Sequence, residues 1–343
     1  MSQLITKATP KKITNGEEVY LELKSAVVEA GILARSYRYY AFMTLFDLGG
    51  FFFSVYQLYH AYQFQDILLW GLLAAFFTGH TGGLFHDAGH QAIFTSRKNN
   101  DLLGNIIASF SVTSYGWWRF KHNKHHASPN QEGEDPDVEL PFLSFTKERF
   151  NEKKGFARLL RRYQHYLYFP LGSLVALSLR RDAFLHAFRQ AKKRKVSPIL
   201  IYTLGFFAWF ILPFFVFDFG KALFVVVGIN FFIGLYFFHL FAPNHKGMPH
   251  IDKGVKLSFF EHQIITARNI TPGWFTDFMY MGLNYQIEHH LFPNCPRNKL
   301  HKITPFLLEI CRKMKLEYTQ VGILETDRII VGELKKIAVT ARG

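Results

Sequence analysis

Residues 67–90 read ILLWGLLAAFFTGHTGGLFHDAGH, an apolar run that ends in His86 and His90. The apolar part, as far as about residue 85, approaches the ~20 residues that a helix needs to cross a bilayer. Residues four apart lie on one face of a helix, so the two imidazoles would point at the same spot. Neutral imidazole is a common ligand of iron, zinc and copper. The stretch therefore predicts a membrane-spanning helix whose end binds metal.

Two further histidine clusters occur later in the chain. Residues 122–126 read HNKHH and residues 286–290 read QIEHH. A single cluster of this kind is commonly a chance pattern, but three clusters that each lie beside an apolar segment are not. They supply too many nitrogens for one tetrahedral zinc site and predict two metal ions held close together. The seven predicted ligands are His86, His90, His122, His125, His126, His289 and His290.

The composition indicates a membrane protein. The 343 residues are 49% hydrophobic and include 38 phenylalanines, many of them in long runs. The length would allow two soluble domains, but these runs favour one membrane-embedded unit. The net charge of +14 would suit nucleic acid, anionic lipid or an acidic protein, and the apolar runs favour the last two over nucleic acid. We expect no cleaved signal peptide, and we expect the two cysteines, Cys295 and Cys311, to be reduced thiols.

The apolar runs predict four membrane spans in two hairpins, at residues 39–59, 67–85, 198–217 and 222–242. Lys and Arg flank the inner ends, whereas the outer turns are short. The positive-inside rule therefore places both termini, and the metal site, on the cytosolic side. Residues 102–118 are apolar but interrupted by polar residues. We predict a re-entrant or interfacial helix there, because a full crossing would carry the second cluster away from the first.

The predicted fold is an all-α integral membrane protein with interfacial helices and a cytosolic histidine-rich cap. It forms a single domain, residues 1–343. Residues 1–36 are a cytosolic segment with an amphipathic helix, and residues 300–315 form a helix before a small charged tail. The remaining parts are residues 39–85 with the first cluster, 86–197 with the second, 198–242 as the second hairpin and 243–343 with the third.

The predicted chemistry is oxidation. A pair of histidine-bound iron ions can take up electrons and activate dioxygen against an inert C–H bond. An apolar chain entering from the bilayer would be the natural substrate. Four carboxylates near the clusters are candidates for orienting the imidazoles: Asp87, Asp135, Asp137 and Glu288.

Other polar residues have less specific interpretations. Asp47 lies inside the first span, where an ionised carboxylate is costly, and it either reaches water or a partner or has a function. We expect His80 and His239 to be satisfied core histidines, and His250, His262 and His301 to lie at the surface. Trp117 and Trp118 precede the second cluster and predict interfacial anchors, with a cavity wall as the alternative.

The three clusters resemble the histidine boxes of the membrane fatty acid desaturases, as HDAGH, HNKHH and QIEHH followed by Leu291-Phe-Pro293. The stretches 125–130 (HHASPN) and 135–138 (DPDV), with glutamine opening the third box, resemble the front-end branch. The resemblance runs through most of the chain. It implies two iron ions (Fe²⁺/Fe³⁺), dioxygen as co-substrate, and two electrons from an external carrier. It also implies a reaction that removes two hydrogens from adjacent methylenes of a long acyl chain, leaving a cis double bond.

The resemblance adds further site residues. His245, in Phe241-Ala-Pro-Asn-His245, fits the place of a ligand just after the fourth span, which brings the set to eight. Gln286 stands where many desaturases have a ninth histidine, and it is a weaker ligand or orients a neighbour. Asn244 is a further candidate of this kind.

The resemblance also indicates the partners. The acyl group would be carried as a thioester or in an acyl lipid. The sequence lacks the His-Pro-Gly-Gly motif of a fused haem domain, so a separate ferredoxin or b-type cytochrome is expected to supply electrons. The basic residues Arg189, Lys192, Lys193, Arg194 and Lys195 would either dock that acidic donor or hold anionic lipid.

Two other functions share parts of this pattern. A membrane di-iron hydroxylase of lipids, alkanes or carotenoids uses similar boxes, and the QIEHHLFP and DPDVE stretches favour desaturation over it. A histidine-rich metal or proton transporter would need polar residues near the middle of several spans. Here the histidines collect at the inner ends and outside the spans.

Overall fold

The structure is a computed structural model that describes residues 16–138, 143–152, 154–192 and 197–340. These residues are mostly helical, and the helices are α1 Gly16–Glu29, α2 Tyr37–His60, α3 Phe64–Gly89, α4 Arg97–Ser111, α5 Tyr115–Ala127, α6 Lys147–Glu152, α7 Gly155–Arg162, α8 Gln164–Gly172, α9 Val175–Lys192, α10 Ser197–Phe206, α11 Pro213–Val216, α12 Phe219–Leu223, α13 Asn230–His245, α14 Phe259–Thr266, α15 Trp274–Met279, α16 Gln286–Leu291, α17 Thr304–Met314 and α18 Ile323–Thr340. Segments Phe207–Ile211 and Phe224–Ile229 are π-helical and Arg297–Lys302 is a 3₁₀ helix. Strands β1 (Asn269–Ile270) and β2 (Gln320–Val321) pair in parallel.

The chain divides into two compact units. The first unit comprises Met1–Ala34, Lys121–Tyr168 and Leu240–Gly343, and the second comprises Arg35–Phe120 and Phe169–His239. Each unit is assembled from separated stretches of the chain.

The second unit contains the first predicted hairpin, α2 and α3. Two polar contacts connect these antiparallel helices. The Tyr40 hydroxyl donates to Asp87 Oδ2 at 2.7 Å, and Asp47 Oδ1 lies 2.7 Å from His80 Nδ1, with both side chains fully buried. The expectation that His80 is a satisfied core histidine is confirmed, and Asp47 is its partner.

Three helices of the described residues are long and apolar enough to cross a membrane: Tyr37–His60, Phe64–Gly89 and Phe219–His245. They correspond to the first, second and fourth predicted spans. The third predicted span contains only a shorter apolar helix, Ile199–Ile211. It is not one regular α-helix, because it becomes π-helical at residue 207 and Pro213, which has no backbone N–H, begins a new segment.

The segment predicted as one re-entrant or interfacial helix is two helices. α4 ends at Ser111 and α5 begins at Tyr115, with Val112 between them in the left-handed conformation (φ 54°). Left-handed backbone is unusual for a β-branched residue and here stops α4 after 15 residues. At 1.5 Å per residue α4 is about 22 Å long, too short to cross a bilayer.

The first unit packs around an apolar core from α1, α14, α16 and α17. Leu23 and Val27 of α1 lie one turn apart in this core, as the amphipathic pattern of the N-terminal segment predicts. Ser258 and Glu261 form a capping box that begins α14. The predicted charged tail is wrong for most of its length, because residues 323–340 form α18, which buries Ile330 and Leu334. Those two residues are four apart, which is the spacing of one helix face. The charged residues around them make this apolar pattern hard to recognise in the sequence.

Candidate metal centre

Three imidazoles converge inside the first unit. His125 Nε2 lies 3.2 Å from His245 Nε2, which in turn lies 3.1 Å from His290 Nε2. They come from the end of α5, the end of α13 and α16, and all three residues are buried. Ligand atoms of the three lie within 4.8 Å of one another.

The opposite nitrogen of each ring faces an oxygen. The acceptors, at 2.8–3.0 Å, are Asp135 Oδ2 for His125, the Thr266 carbonyl for His245 and Gln263 Oε1 for His290. A ring nitrogen that donates carries the hydrogen, so in each neutral imidazole Nε2 presents a lone pair. The lone pair of His245 lies about 3 Å from the Nε2 atoms of His125 and His290, and such lone pairs repel unless a cation lies among them. This arrangement fits a metal ion bound through Nε2, and the Nδ1 contacts orient the ligands.

A second group of imidazoles lies in the same unit. His126 Nε2 is 3.0 Å from His122 Nε2 and 3.2 Å from His289 Nε2. The His126 and His290 rings stack with centroids 4.0 Å apart, so the two groups are adjacent. His122 and His126 share a face of α5 because they are four residues apart.

The first box lies in the second unit. His86 is in the last turn of α3 and His90 follows its end, and their ring centroids are 4.7 Å apart. Asp87 Oδ1 lies 3.1 Å from His86 Nδ1. Trp118 packs edge-on against both imidazoles, with centroids 5.6 and 6.3 Å away. The structure therefore favours the wall of a histidine site over an interfacial anchor for Trp118.

Asp135 is the best-supported orienting carboxylate. It is buried, faces His125 Nδ1 and accepts from the backbone N–H groups of Asn130 and Asp137. Burial alone would raise the pKa of Asp135, but the neighbouring His125 and then Lys246 outweigh it, and the pKa lies well below its usual range. Asp135 is therefore ionised at neutral pH. Asp137 contributes more distantly, at 3.8 Å from His125 Nδ1, and pairs with Lys121 at 2.6 Å.

Glu288 has a different role from the one its position in the third box predicts. The contacts of its buried carboxylate are with Asn269 Nδ2, the Thr304 hydroxyl and the Tyr318 hydroxyl, at 2.6–2.7 Å. Glu288 therefore ties α16 to β1 and α17. On a helix it points away from His289 and His290, which face His126 and His245. Burial and then the charge of Glu288 raise the pKa of Tyr318.

Gln286 lies against the group formed by His125, His245 and His290. Its Nε2 is 2.9 Å from His245 Nε2, and its Oε1 accepts from Asn244 Nδ2 at 3.0 Å. Asn244 also donates to the Leu240 carbonyl at 2.9 Å, which sets the orientation of both amides. Both residues thus lie where the sequence predicts an additional ligand or an orienting group.

Sequence reasoning missed several residues of the site. Gln263 and the Thr266 carbonyl belong to no motif, since α14 reaches the histidines only by folding back over them. His262 is buried and its Nε2 faces the Pro129 carbonyl at 2.8 Å, so the expectation of a surface position was wrong. His250 is half-buried, and His301 is exposed as expected. Both cysteines are free thiols, as predicted, and both are buried.

The sequence that contains these histidines also matches the model of a protein family. The family model described as Fatty acid desaturase matches residues 65–322. The chain belongs to the fatty acid desaturase family. Families of this kind are generally iron-dependent, and the histidine groups above suit a metal of that type.

Curated relatives carry related names. The chain is 29% identical to the Delta 8-(E)-sphingolipid desaturase of Lachancea kluyveri, over 94% of this chain and 60% of that protein. It is 28% identical to the Acyl-lipid (9-3)-desaturase of Borago officinalis, over 79% and 64%. It is also 28% identical to the Delta(5) fatty acid desaturase of Caenorhabditis elegans, over 87% and 69%. The chain spans between half and about two thirds of the length of the curated relatives it matches.

Proposed function

We propose that this chain is an oxygen-dependent fatty acyl desaturase that uses two iron ions and introduces a cis double bond into a long acyl chain. The observation that carries the proposal is the convergence of His125, His245 and His290 through Nε2, each ring held at Nδ1. The balanced reaction removes two hydrogens from adjacent methylenes. Dioxygen is reduced to two waters. The two hydrogens of the substrate, two electrons from a donor and two protons supply what this reduction needs.

The proposed ligand set contains eight histidines: His86, His90, His122, His125, His126, His245, His289 and His290. The three apposed nitrogens around His245 support a ligand role for their group, and His122, His126 and His289 have the same apposition. His86 and His90 complete the set on the strength of their helical spacing and of their place at the inner end of a predicted span. Gln286 either binds an ion through its oxygen or orients His245.

When bound, the irons would supply the one-electron steps and the activation of dioxygen that organic side chains cannot. The protein's own groups perform different tasks. Asp135, Gln263 and the Thr266 carbonyl hold each imidazole in one tautomer and one orientation. Burial of these residues keeps bulk water away from the ligands.

The proposed topology has four spans in two hairpins, with both termini and the metal site on the cytosolic side. Three helices of sufficient length support it. Residues 197–217 supply the remaining crossing, the third along the chain, through α10, the π-helical turn and α11, a length of about 31 Å at 1.5 Å per residue. The Lys and Arg asymmetry between inner segments and outer turns supports the orientation.

The proposed partners are an acyl substrate and an external electron donor. The printed names of the relatives include sphingolipid, acyl-lipid and fatty acid desaturases, so an acyl chain on a lipid or thioester carrier is the substrate class. A ferredoxin or b-type cytochrome would supply electrons. Of the basic stretch predicted to dock it or to hold lipid, Arg189 and Lys192 are on α9, and residues 193–195 lie outside the described residues.

The test is expression in a host of known fatty acid profile, with product analysis by gas chromatography–mass spectrometry. We expect a new unsaturated acyl species with the wild-type chain and none with His125→Ala. The matched control is His301→Ala, because that histidine is exposed and outside every box. Iron analysis of the same proteins should give about two ions per chain for wild type and control, and fewer for His125→Ala. A hydroxylated product instead of an alkene would refute desaturation, and full activity of His125→Ala would refute the ligand assignment.

A further inference from the structure

Arg180 occupies an unusual position in the second unit. It lies on the buried face of α9, where its neighbours along that face are Ala176, Ala183 and Ala187, each no more than 2% exposed. Arg180 itself is 6% exposed. A long cationic side chain therefore stands in the middle of a stripe of small apolar residues.

The guanidinium of Arg180 lacks the partners that a buried cation normally has. Within the described part of the chain, its Nε and Nη1 atoms are buried and have no hydrogen-bond partner. No described carboxylate forms an ion pair with it, whereas the adjacent Arg181 is exposed and pairs with Asp182 at 2.7 Å. Burial lowers the pKa of Arg180 to about 10, so the group is still a cation at neutral pH. A buried charge of this kind destabilises a protein unless something compensates it.

Aromatic rings form the wall opposite Arg180. Tyr202, Phe206 and Phe210 follow one face of α10 and the π-helical turn, with successive near-parallel rings 6.2 and 4.9 Å apart. The guanidinium lies over the Phe210 ring at 5.5 Å. Phe210 belongs to the π-helical segment, and such segments occur frequently at functional sites. Phe206 is 40% exposed, so this row of rings is open to the surroundings along one side.

The exposed aromatic flank of α9 beside Arg180 indicates what surrounds the helix, and Phe184 on that flank also contacts Tyr202 of α10. Phe184 and Phe188 are 45% and 48% exposed, and the Lys192 ammonium lies over the Phe188 ring at 4.9 Å. Exposed apolar rings beside long cationic side chains are typical of a helix at a membrane–water boundary. Lipid phosphates are the abundant oxyanions at that depth, and an arginine fork binds phosphate through two parallel hydrogen bonds.

We propose that Arg180 is the centre of a phosphate-binding site between α9 and α10, occupied by the headgroup of a membrane phospholipid. The phosphate supplies the charge and the acceptors that the guanidinium otherwise lacks. The lipid chains lie along the exposed aromatic side of α9 and α10. This site is separate from the histidine groups, and the proposal stands whatever reaction the chain catalyses.

The test compares the purified wild-type chain, Arg180→Met and Arg181→Met in detergent. Native mass spectrometry and thermal unfolding are recorded with added phosphatidylglycerol, oleate or inorganic phosphate. Methionine keeps the length and removes the charge, and Arg181 is the adjacent, already paired control. We expect phosphatidylglycerol to bind and stabilise wild type and Arg181→Met, and binding to be roughly tenfold weaker or more in Arg180→Met, since hydrogen bonds to a charged group are lost.

The sign of the stability change provides a check that loss of folding cannot mimic. In lipid-free detergent Arg180→Met should melt no lower than wild type, because it removes an uncompensated buried charge. Arg180→Lys should fold and bind with intermediate affinity, because it keeps the charge and loses the fork. Equal phosphatidylglycerol affinity in Arg180→Met and wild type, or a lower lipid-free melting temperature for Arg180→Met, would overturn the site. Stabilisation by oleate alone would overturn the phosphate assignment, and equal stabilisation by inorganic phosphate would overturn the lipid as its source.

Discussion

At the scale of single residues, the ring nitrogens that face away from the histidine groups hold those groups in place. His125, His245 and His290 use three unlike acceptors: a carboxylate, a backbone carbonyl and a side-chain amide. An anionic acceptor makes an imidazole a stronger electron donor than a neutral one does. The three proposed ligands of this group are therefore chemically unequal although their residue type is the same.

The amide of Gln286 offers a test of this group. We expect Gln286→Ala to lose most activity, because it removes the amide that lies 2.9 Å from His245 Nε2. Gln286→His should retain metal but turn over poorly, since an imidazole in place of the amide alters the electronics around His245. The measurements are product yield and iron content, with Asn298→Ala, outside the boxes, as the amide control. Wild-type turnover and iron content in Gln286→Ala would show that Gln286 only packs.

The thiols give a pH-dependent prediction. Cys295 and Cys311 are each 2% exposed, and burial raises the pKa of Cys311 to about 11. The thiolate is the reactive form, so alkylation of the folded chain should stay slow from pH 7 to 9. The raised pKa stabilises the fold fully below the unfolded pKa near 8.5, and that contribution is lost as pH rises towards 11. Mass spectrometry after iodoacetamide treatment should find no label on the folded chain and two on the unfolded chain. Rapid labelling of the folded chain at pH 7 would contradict the burial.

At the scale of elements, the α2–α3 hairpin is joined by two polar contacts seven residues apart on each helix. Tyr40 contacts Asp87, whose other oxygen faces His86, and Asp47 contacts His80. On α3, His80 lies between the middle of the helix and the first box, and Asp87 belongs to that box. The two contacts set the rotation of the helix that presents His86 and His90.

The buried pair Asp47–His80 predicts a non-additive pair of substitutions. Asp47→Ala should lower the stability of the purified chain by about 3–5 kcal/mol, because it removes the carboxylate from a buried ion pair. The double replacement Asp47→Leu with His80→Phe should recover most of that loss, since apolar groups of similar volume need no partner. Thermal unfolding in detergent measures both, with the exposed Gln65→Ala in the same hairpin as a control. Additive losses in the double variant would show that the two residues are not coupled.

At the scale of the whole molecule, the topology can be tested with introduced cysteines. The native thiols are buried, so the wild-type background should not react with an impermeant maleimide. Gln63→Cys lies in the short turn after α2, and Arg158→Cys lies on α7, and both positions are exposed. Two hairpins with cytosolic termini place these positions on opposite sides, so in intact right-side-out cells only residue 63 should be labelled. Labelling of both positions, or of residue 158 alone, would rule the proposed topology out.

The sequence by itself was sufficient for the histidine boxes and the long apolar helices. Both depend on local spacing: four residues bring two imidazoles to one helix face, and about twenty apolar residues make a span. The same local reasoning located Asp135 beside the second box and Gln286 in the third. It did not predict the irregular course of the third predicted span, where a π-helical turn and Pro213 interrupt an apolar run that has no polar residue to mark the break.

Only the tertiary structure decided which groups hold the imidazoles. Gln263 and the Thr266 carbonyl reach His290 and His245 across 27 and 21 residues, and no spacing rule connects residues so far apart. Glu288 shares its box with two histidines but faces β1 and α17, because a one-residue step turns a side chain by about 100° around a helix. In the sequence alone, Arg180 is one of several basic residues in a polar segment. Its burial depends on how α9 packs against α10. Patterns along the chain determine what each helix can present, whereas the identity of the facing residue depends on chain folding that brings distant segments together.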